Sequence, residues 1–177
     1  MKKTFLLFLV ILLARNGFSQ VKNNIARSAI TFQAKNMGIG VNGTIGGLEA
    51  DIQFNPASLT TSTINTSVDV TTLNTDNDSR DEHLKGVDFF DLAHYPKITL
   101  KSISFKHKNG NNYSGQFNLY IKGKTKQLEI PFSYEDKGSS AIFKGSFKIN
   151  RLDFGIGDSS IILSNEVIVN IEAETSK

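Results

Sequence analysis

From Ser28 onward the apolar residues recur at every second position, the period expected of strands with one face in a core and the other in water. Ile30, Phe32 and Ala34 form one such set, Val41, Gly43 and Ile45 a second, and Leu48, Ala50, Ile52 and Phe54 a third that Asn55-Pro56 ends. Ile64, Thr66, Val68 and Val70 mark a fourth. Beyond Pro96, a strand from Lys97 to Lys108 meets Asn109-Gly110, a two-residue hairpin signal because both central positions of a type I′ turn need positive φ. Phe117, Leu119 and Ile121 alternate on the return, Gly123 sits in the next turn, and Leu128, Ile130, Phe132 and Tyr134 alternate again. Asp136-Lys137-Gly138 leads into Ala141, Phe143, Gly145, Phe147 and Ile149. After an irregular stretch from Asn150 to Ser160, Val167, Val169, Ile171 and Ala173 complete the series.

This pattern predicts roughly eight to nine short strands joined mostly by hairpins, with no long helical period. The expected architecture is all-β: an antiparallel sandwich or, as the preferred reading, an up-and-down barrel of about eight strands. The inward faces are rich in Phe and Ile, the outward faces in Lys, Thr, Ser and Asn. A closed barrel of about eight strands either fills its interior with side chains or holds one small ligand. No internal repeat, low-complexity tract or linker divides the chain, so residues 20–177 read as one domain.

One segment breaks the alternation: Arg80 to Pro96, R-D-E-H-L-K-G-V-D-F-F-D-L-A-H-Y-P. Ser79 or Asp78 is placed to cap a short helix from Arg80 to about Lys85, which puts Arg80, His83 and Leu84 on one face; Gly86 ends it. Val87, Phe89, Phe90 and Leu92 form a second apolar patch before Tyr95-Pro96 returns the chain to extended structure. The whole helical segment is expected around residues 79–92. Two compatible readings follow. In one the segment plugs an end of the barrel, with Arg80 paired to Asp81 or a neighbouring carboxylate. In the other it roofs a cavity, with Phe89 and Phe90 toward an apolar ligand and Arg80 and His83 near its polar head.

Composition assigns the compartment. Residues 1–19 carry Lys2 and Lys3, an apolar run from Phe5 to Ala14, and small residues Gly17 and Ser19 before Gln20, which is the pattern of a secretory signal peptide. The apolar run is shorter than the roughly twenty residues of a membrane-spanning helix. The net charge of +3, from 20 basic and 17 acidic residues, includes Lys2, Lys3 and Arg15 of that segment; without them the chain is balanced at 17 against 17. Nothing in that balance points to nucleic acid. With no cysteine there is no disulfide framework and no site for an N-terminal lipid thioether, so stability rests on a hydrophobic core.

Catalytic and metal chemistry are weakly signalled. Ser79, Asp81 and His83 are the residue types of a hydrolase triad, but alternate positions on one short turn point apart, and no Gly-x-Ser-x-Gly elbow is present. The chain is therefore read as a binding protein, not an enzyme. Asp81, Glu82, His83 and His94 offer ligand atoms without the spacing of a tetrahedral site, and His107 reads as a surface residue beside a hairpin. Lys122, Lys124 and Lys126 share a face around a turn, where lysines ordinarily keep strand edges in solution; the alternative is that they meet an anionic head group or a membrane surface. Arg151 and Asp153 are placed to pair with each other or with the 80–96 segment, and Arg151 is read as structural.

Arg80-Asp81, His83-Leu84, Phe89-Phe90-Asp91 and Tyr95-Pro96, then Ser102, Gly115, Gly123-Lys124-Thr125-Lys126 and Asn150-Arg151-x-Asp153-Phe154-Gly155-Ile156-Gly157, resemble the YceI-like family in the right order over most of the chain. The resemblance implies a lipocalin-like antiparallel barrel, exported to the periplasm, that holds a polyisoprenoid or other long-chain amphiphile. Two departures are that residues 21–27 lack the aromatic and aspartate with which members usually open, and that Lys124 stands where they tend to carry an apolar residue.

The candidate ligand-binding set is Arg80, His83, Leu84, Phe89 and Phe90 in the interruption, with Phe32, Phe54, Leu100, Phe117, Phe132, Phe143 and Phe147 from the strands. Asp76, Asp78, Asp81, Glu82, Asp88 and Asp91 surround Arg80 and Lys85, a poor setting for a polyanion, so the expected head is neutral or weakly polar: a quinone, amide or alcohol. The expected role is transport, storage or stress response. No cofactor is expected beyond a bound isoprenoid or other lipid, no nucleic acid, at most transient membrane contact, and a monomer or homodimer. The competing reading is a packed stress-related or interaction barrel without a physiological ligand.

Overall fold

The computed structural model describes residues 24–176; the signal peptide expected at 1–19 lies outside the described residues. Eight strands form a closed antiparallel barrel in chain order: β1 (Asn24–Asn36), β2 (Ile39–Gln53), β3 (Thr63–Asn74), β4 (Lys97–Asn109), β5 (Asn112–Ile121), β6 (Lys124–Asp136), β7 (Ser140–Asn150) and β8 (Glu166–Ser176). Closure is made by β1 with β8, where Ile30 faces Ile171 and Phe32 faces Val169. Among the described residues the one α-helix, α1 (Asp78–Lys85), lies between β3 and β4.

The two apolar sets expected as separate strands, Val41–Ile45 and Leu48–Phe54, are one strand, β2. The inward parity changes from odd at Ile45 to even at Leu48 because the register slips there, with Gly47 at φ +64° absorbing the extra residue. A second slip between Ser102 and Ser104 does the same in β4, moving the inward set from Leu100 to Phe105 and leaving Ile103 exposed. β6 and β7 pair only over Phe132–Asp136 and Ala141–Gly145; Pro131, which has no N–H, stands where the ladder stops. Beyond that point Phe154 and Ile156 fill the space between the strands, packed with Leu128, Phe147 and Ile149.

The turn after β4 is Gly110-Asn111 rather than Asn109-Gly110: Asn109 pairs with Asn112, and of the two turn residues only Gly110 has positive φ. A slip between His107 and Asn109 shifts the register by one residue and moves the turn with it.

The two ends of the barrel differ. One carries the β2–β3 connection and the tight β4–β5 and β6–β7 turns, and an aromatic cluster closes it. Phe54 is its hub, with ring centroids 4.9 Å from Tyr134, 5.2 Å from Tyr113, 5.5 Å from Phe105 and from Phe132, and 5.7 Å from Phe143. Most of these pairs are edge-to-face, the arrangement ring quadrupoles favour. The other end carries the β1–β2 and β5–β6 turns and the two long connections, 75–96 and 151–165.

Candidate ligand-binding cavity

The interior between these ends is hollow, with a cavity of about 650 Å³, inside the roughly 300–1,000 Å³ range of small-molecule sites. Its floor is the inner side of the aromatic closure, Phe117, Phe132 and Phe143. Its walls are aliphatic, among them Ile30, Ile45, Val68, Leu100, Val169 and Ile171. Most of the polar lining residues gather at the other end, Asn36, Thr75, Arg80, His83, Arg151, Asp158, Ser159 and Ser160, while Thr66 and Lys144 stand along the walls.

The roof is built from a local signal in the sequence. Asn77, at extended φ and ψ, accepts a hydrogen bond from Arg80 N and caps α1, so the helix begins at Asp78 and neither Ser79 nor Asp78 is the cap. Gly86 ends it. The helix is anchored through Thr75. The Thr75 hydroxyl donates to Asp81 Oδ1 at 2.5 Å and its N–H donates to the same carboxylate at 3.0 Å. The hydroxyl oxygen in turn accepts from Arg80 Nε at 2.7 Å, and the Thr75 carbonyl from Arg80 Nη2 at 2.6 Å. Arg80 is therefore held by a threonine, not by the carboxylate expected to pair with it, and its Nη1 forms no hydrogen bond with the described residues. The Thr75 hydrogen bonds hold the Asp81 carboxyl below its ordinary range against the opposing effect of burial.

Arg80, His83 and Leu84 all line the cavity, as one helix face should. The His83 ring lies 4.9 Å from Phe89. Ser79, Asp81 and His83 do not assemble as a triad: Asp81 is engaged by Thr75, and the His83 ring packs on Phe89. Phe90 reaches further in, against the Val68 and Val70 cluster. Among the described residues no group of three or more acidic or histidine side chains gathers as a metal site. His94 Nδ1 meets Asp91 Oδ1 at 2.8 Å on the outside of the roof.

The second connection closes onto the first. Gly157 N donates to Asp88 O at 2.8 Å, and a Cβ on Gly157 would stand 2.9 Å from the Phe89 ring. Arg151, buried at 3% exposure, organises this loop. It donates to the carbonyls of Ser164, Ile156 and Asp158 at 3.0, 2.7 and 2.8 Å, and to Asn165 Oδ1 at 3.1 Å. The pairing with Asp153 or the roof is thus replaced by contacts to backbone oxygens, in keeping with a structural role. Burial pushes the guanidinium pKa down, and the charge of Asp158 offsets part of that. Lys122 Nζ donates to Gly155 O at 2.8 Å, and Lys124 lies against the same glycine. Neither lysine lines the cavity.

Of the candidate ligand-binding residues, all but Phe54 line the cavity. Phe54 follows the last residue of β2 and turns into the aromatic closure behind the floor, so its inward parity places it in the core and not against a ligand. The sequence reading missed Thr75 and the mouth residues Asn36, Ile162 and Leu163. For Ile162 and Leu163 the signal was the apolar run Ile161-Ile162-Leu163 in a connection otherwise polar from Asp158 to Ser164; Asn36 and Thr75 carry no such signal.

Comparison with known proteins agrees with this geometry. A UPF0312 protein of Vibrio cholerae is 25% identical over 138 residues, covering 74% of this chain and 73% of that one. The crystal structure of BcnA from Burkholderia cenocepacia superposes with a TM-score of 0.81 at 24% identity, covering 86% of this chain and 98% of that one. A polyisoprenoid binding domain from Saccharophagus degradans, 14% identical, superposes with a TM-score of 0.70 over 87% of this chain and 96% of that one. The sequence model of the YceI-like domain matches residues 22–175. The lipocalin-like barrel, its interrupted β3–β4 connection and this match over nearly the whole chain place it in the YceI-like domain family.

Proposed function

We propose that this protein is an exported, periplasmic carrier that holds one long-chain amphiphile inside the barrel, tail toward the aromatic floor and head beneath α1. The observation that carries the reading is the division of the cavity: walls that are aliphatic and aromatic along most of their depth, Thr66 and Lys144 apart, with Arg80, His83 and Thr75 at the roof. The polyisoprenoid binding of the Saccharophagus degradans neighbour supports the same ligand class.

Affinity would come from the tail. Each buried methylene contributes about 0.8 kcal/mol, so ten carbons supply several kcal/mol after the cost of association. The head then needs few contacts. Arg80 Nη1 supplies a donor and the His83 ring, which makes no hydrogen bond with the described residues, a donor or acceptor. Lys122 and Lys124 are turned to Gly155; of the lining charges besides Arg80, Lys144 is paired with Glu172, Arg151 is committed to backbone carbonyls, and Asp158 is acidic. This favours a neutral head (an alcohol, amide or quinone) over a pyrophosphate.

Native mass spectrometry of protein purified from its own periplasm, followed by lipid extraction, tests the reading. A single co-purifying neutral or weakly polar long-chain lipid is the expected result. Stoichiometric prenyl pyrophosphate overturns the head-group assignment, and an empty barrel that takes up no prenol, quinone or fatty amide overturns the carrier role.

A further inference from the structure

Exposed large apolar side chains gather at the cavity end. Among the described residues these are Met37, Ile39, Val87, Ile103, Ile161 and Ile162, and only Ile103 lies on the barrel wall away from it. Met37 occupies the tip of the β1–β2 turn at φ +52°, with Gly38 at +77° and Asn36 paired to Ile39, a two-residue turn in which Asn, Asp and Gly are the favoured residues. A methionine there is disfavoured twice, by its backbone and by its exposure to water. Ile161 is fully exposed, and Ser160 Oγ accepts from both Ile162 N and Leu163 N, fixing the turn that presents it.

The two tips form one ledge. Met37 N donates to Ile162 O at 2.7 Å, Ser164 N donates to Lys35 O at 2.8 Å, and Asn36 bridges Leu163. Asn36, Ile162 and Leu163 line the cavity, whereas Met37, Ile39 and Ile161 do not. The ledge is therefore the outward continuation of the cavity mouth.

We propose that this ledge seats the mouth on a lipid bilayer, so that the ligand passes between membrane and barrel without crossing water. The inference rests on the carrier reading above, because a long-chain amphiphile resides in a bilayer before it is bound. Apolar tips on narrow turns suit insertion at the depth of the headgroup and acyl boundary; a stable protein interface instead needs a broad complementary face. The same end carries Asp76, Asp78, Glu82, Asp88 and Asp91 together with Lys35, Lys85, Lys122 and Lys124, so charges of both signs face outward and the matching surface is zwitterionic.

The test is flotation of the protein, without added ligand, on vesicles of phosphatidylcholine and phosphatidylethanolamine. It compares the wild type with a variant carrying Met37→Asn and Ile161→Ser, neither of which touches the cavity. The wild type is expected to float, and the variant to partition at least about tenfold less, two apolar side chains having been lost. Prenol delivered from ethanol should bind both alike, while transfer of prenol from vesicle to vesicle slows in the variant. Equal flotation of the two proteins overturns the proposal, as does a wild type that stays in solution or that forms a dimer the variant cannot form. Flotation of the wild type alone, with no prenol, quinone or fatty amide bound by either protein, upholds the ledge and overturns the carrier reading instead.

Discussion

The hydroxyl of Thr75 donates to Asp81 and accepts from Arg80, so one side chain joins the end of β3 to two adjacent, oppositely charged residues of α1. The Asp81 carboxyl is held below the ordinary aspartate value of 3.8, first by the Thr75 side-chain hydrogen bond. A group with a depressed folded pKa contributes stability above its unfolded pKa and loses that contribution as pH falls through the folded value. The roof should therefore loosen below about pH 4. Protection factors of residues 78–92, corrected for intrinsic exchange, should fall on acidification in the wild type and change less over the same window in Asp81→Asn, which has no carboxylate at this position.

Phe89 occupies the space a side chain at position 157 would need, and Gly157 has φ +61°. Gly157→Ala should cost about 1–2 kcal/mol from the left-handed backbone, plus the displacement of Phe89. Coupling is the diagnostic. In urea unfolding, Phe89→Ala should recover the displacement part but not the backbone part, so that the two changes are less than additive.

Alternation of side chains made the strands legible, because a half-buried barrel strand allows no other pattern. What alternation does not show is a slip. Ile45 to Leu48 looks like two strands until the Gly46-Gly47 bulge joins them, and Phe54 keeps its inward parity but faces the closure rather than the cavity. The Arg80, His83 and Leu84 face was readable from helical spacing, since it needs only three- and four-residue separations. Thr75 was not, because its role depends on a fold that returns Asp81 to the end of β3.

The position of Phe54 separates stability from binding. Phe54→Ala removes the hub of the ring cluster while leaving the cavity lining unchanged. The side chain is half-buried, so the expected loss is about 2–3 kcal/mol, below the range for a fully buried phenylalanine. Displacement of a fluorescent fatty probe should give an unchanged stoichiometry at temperatures where the variant is folded.

Filling the cavity should do the reverse. Val169 faces Phe32 across the β1–β8 closure and lines the cavity wall. Val169→Phe projects a ring into empty volume, so the overpacking cost of about 1–3 kcal/mol seen in filled cores should be largely absent. The same probe should bind at least about tenfold more weakly, as the ring displaces one or two methylenes of tail.

Arg151 tests whether the 151–165 connection is held by charge or by shape. Its guanidinium reaches Ile156 O, Asp158 O and Ser164 O in three directions at once, with Asn165 Oδ1 as a fourth acceptor. An ammonium keeps the charge but gathers its donors at one nitrogen, so it cannot span acceptors that a planar fork holds apart. Arg151→Lys should therefore behave much like Arg151→Met, each costing on the order of 3 kcal/mol because buried carbonyls lose their donors. Were net positive charge the requirement, Lys would restore most of the stability. Chemical denaturation of the two variants decides between these, and amide exchange at Ile156 and Gly157, whose N–H groups bond to Arg151 O and Asp88 O, reports whether the connection still closes against the roof.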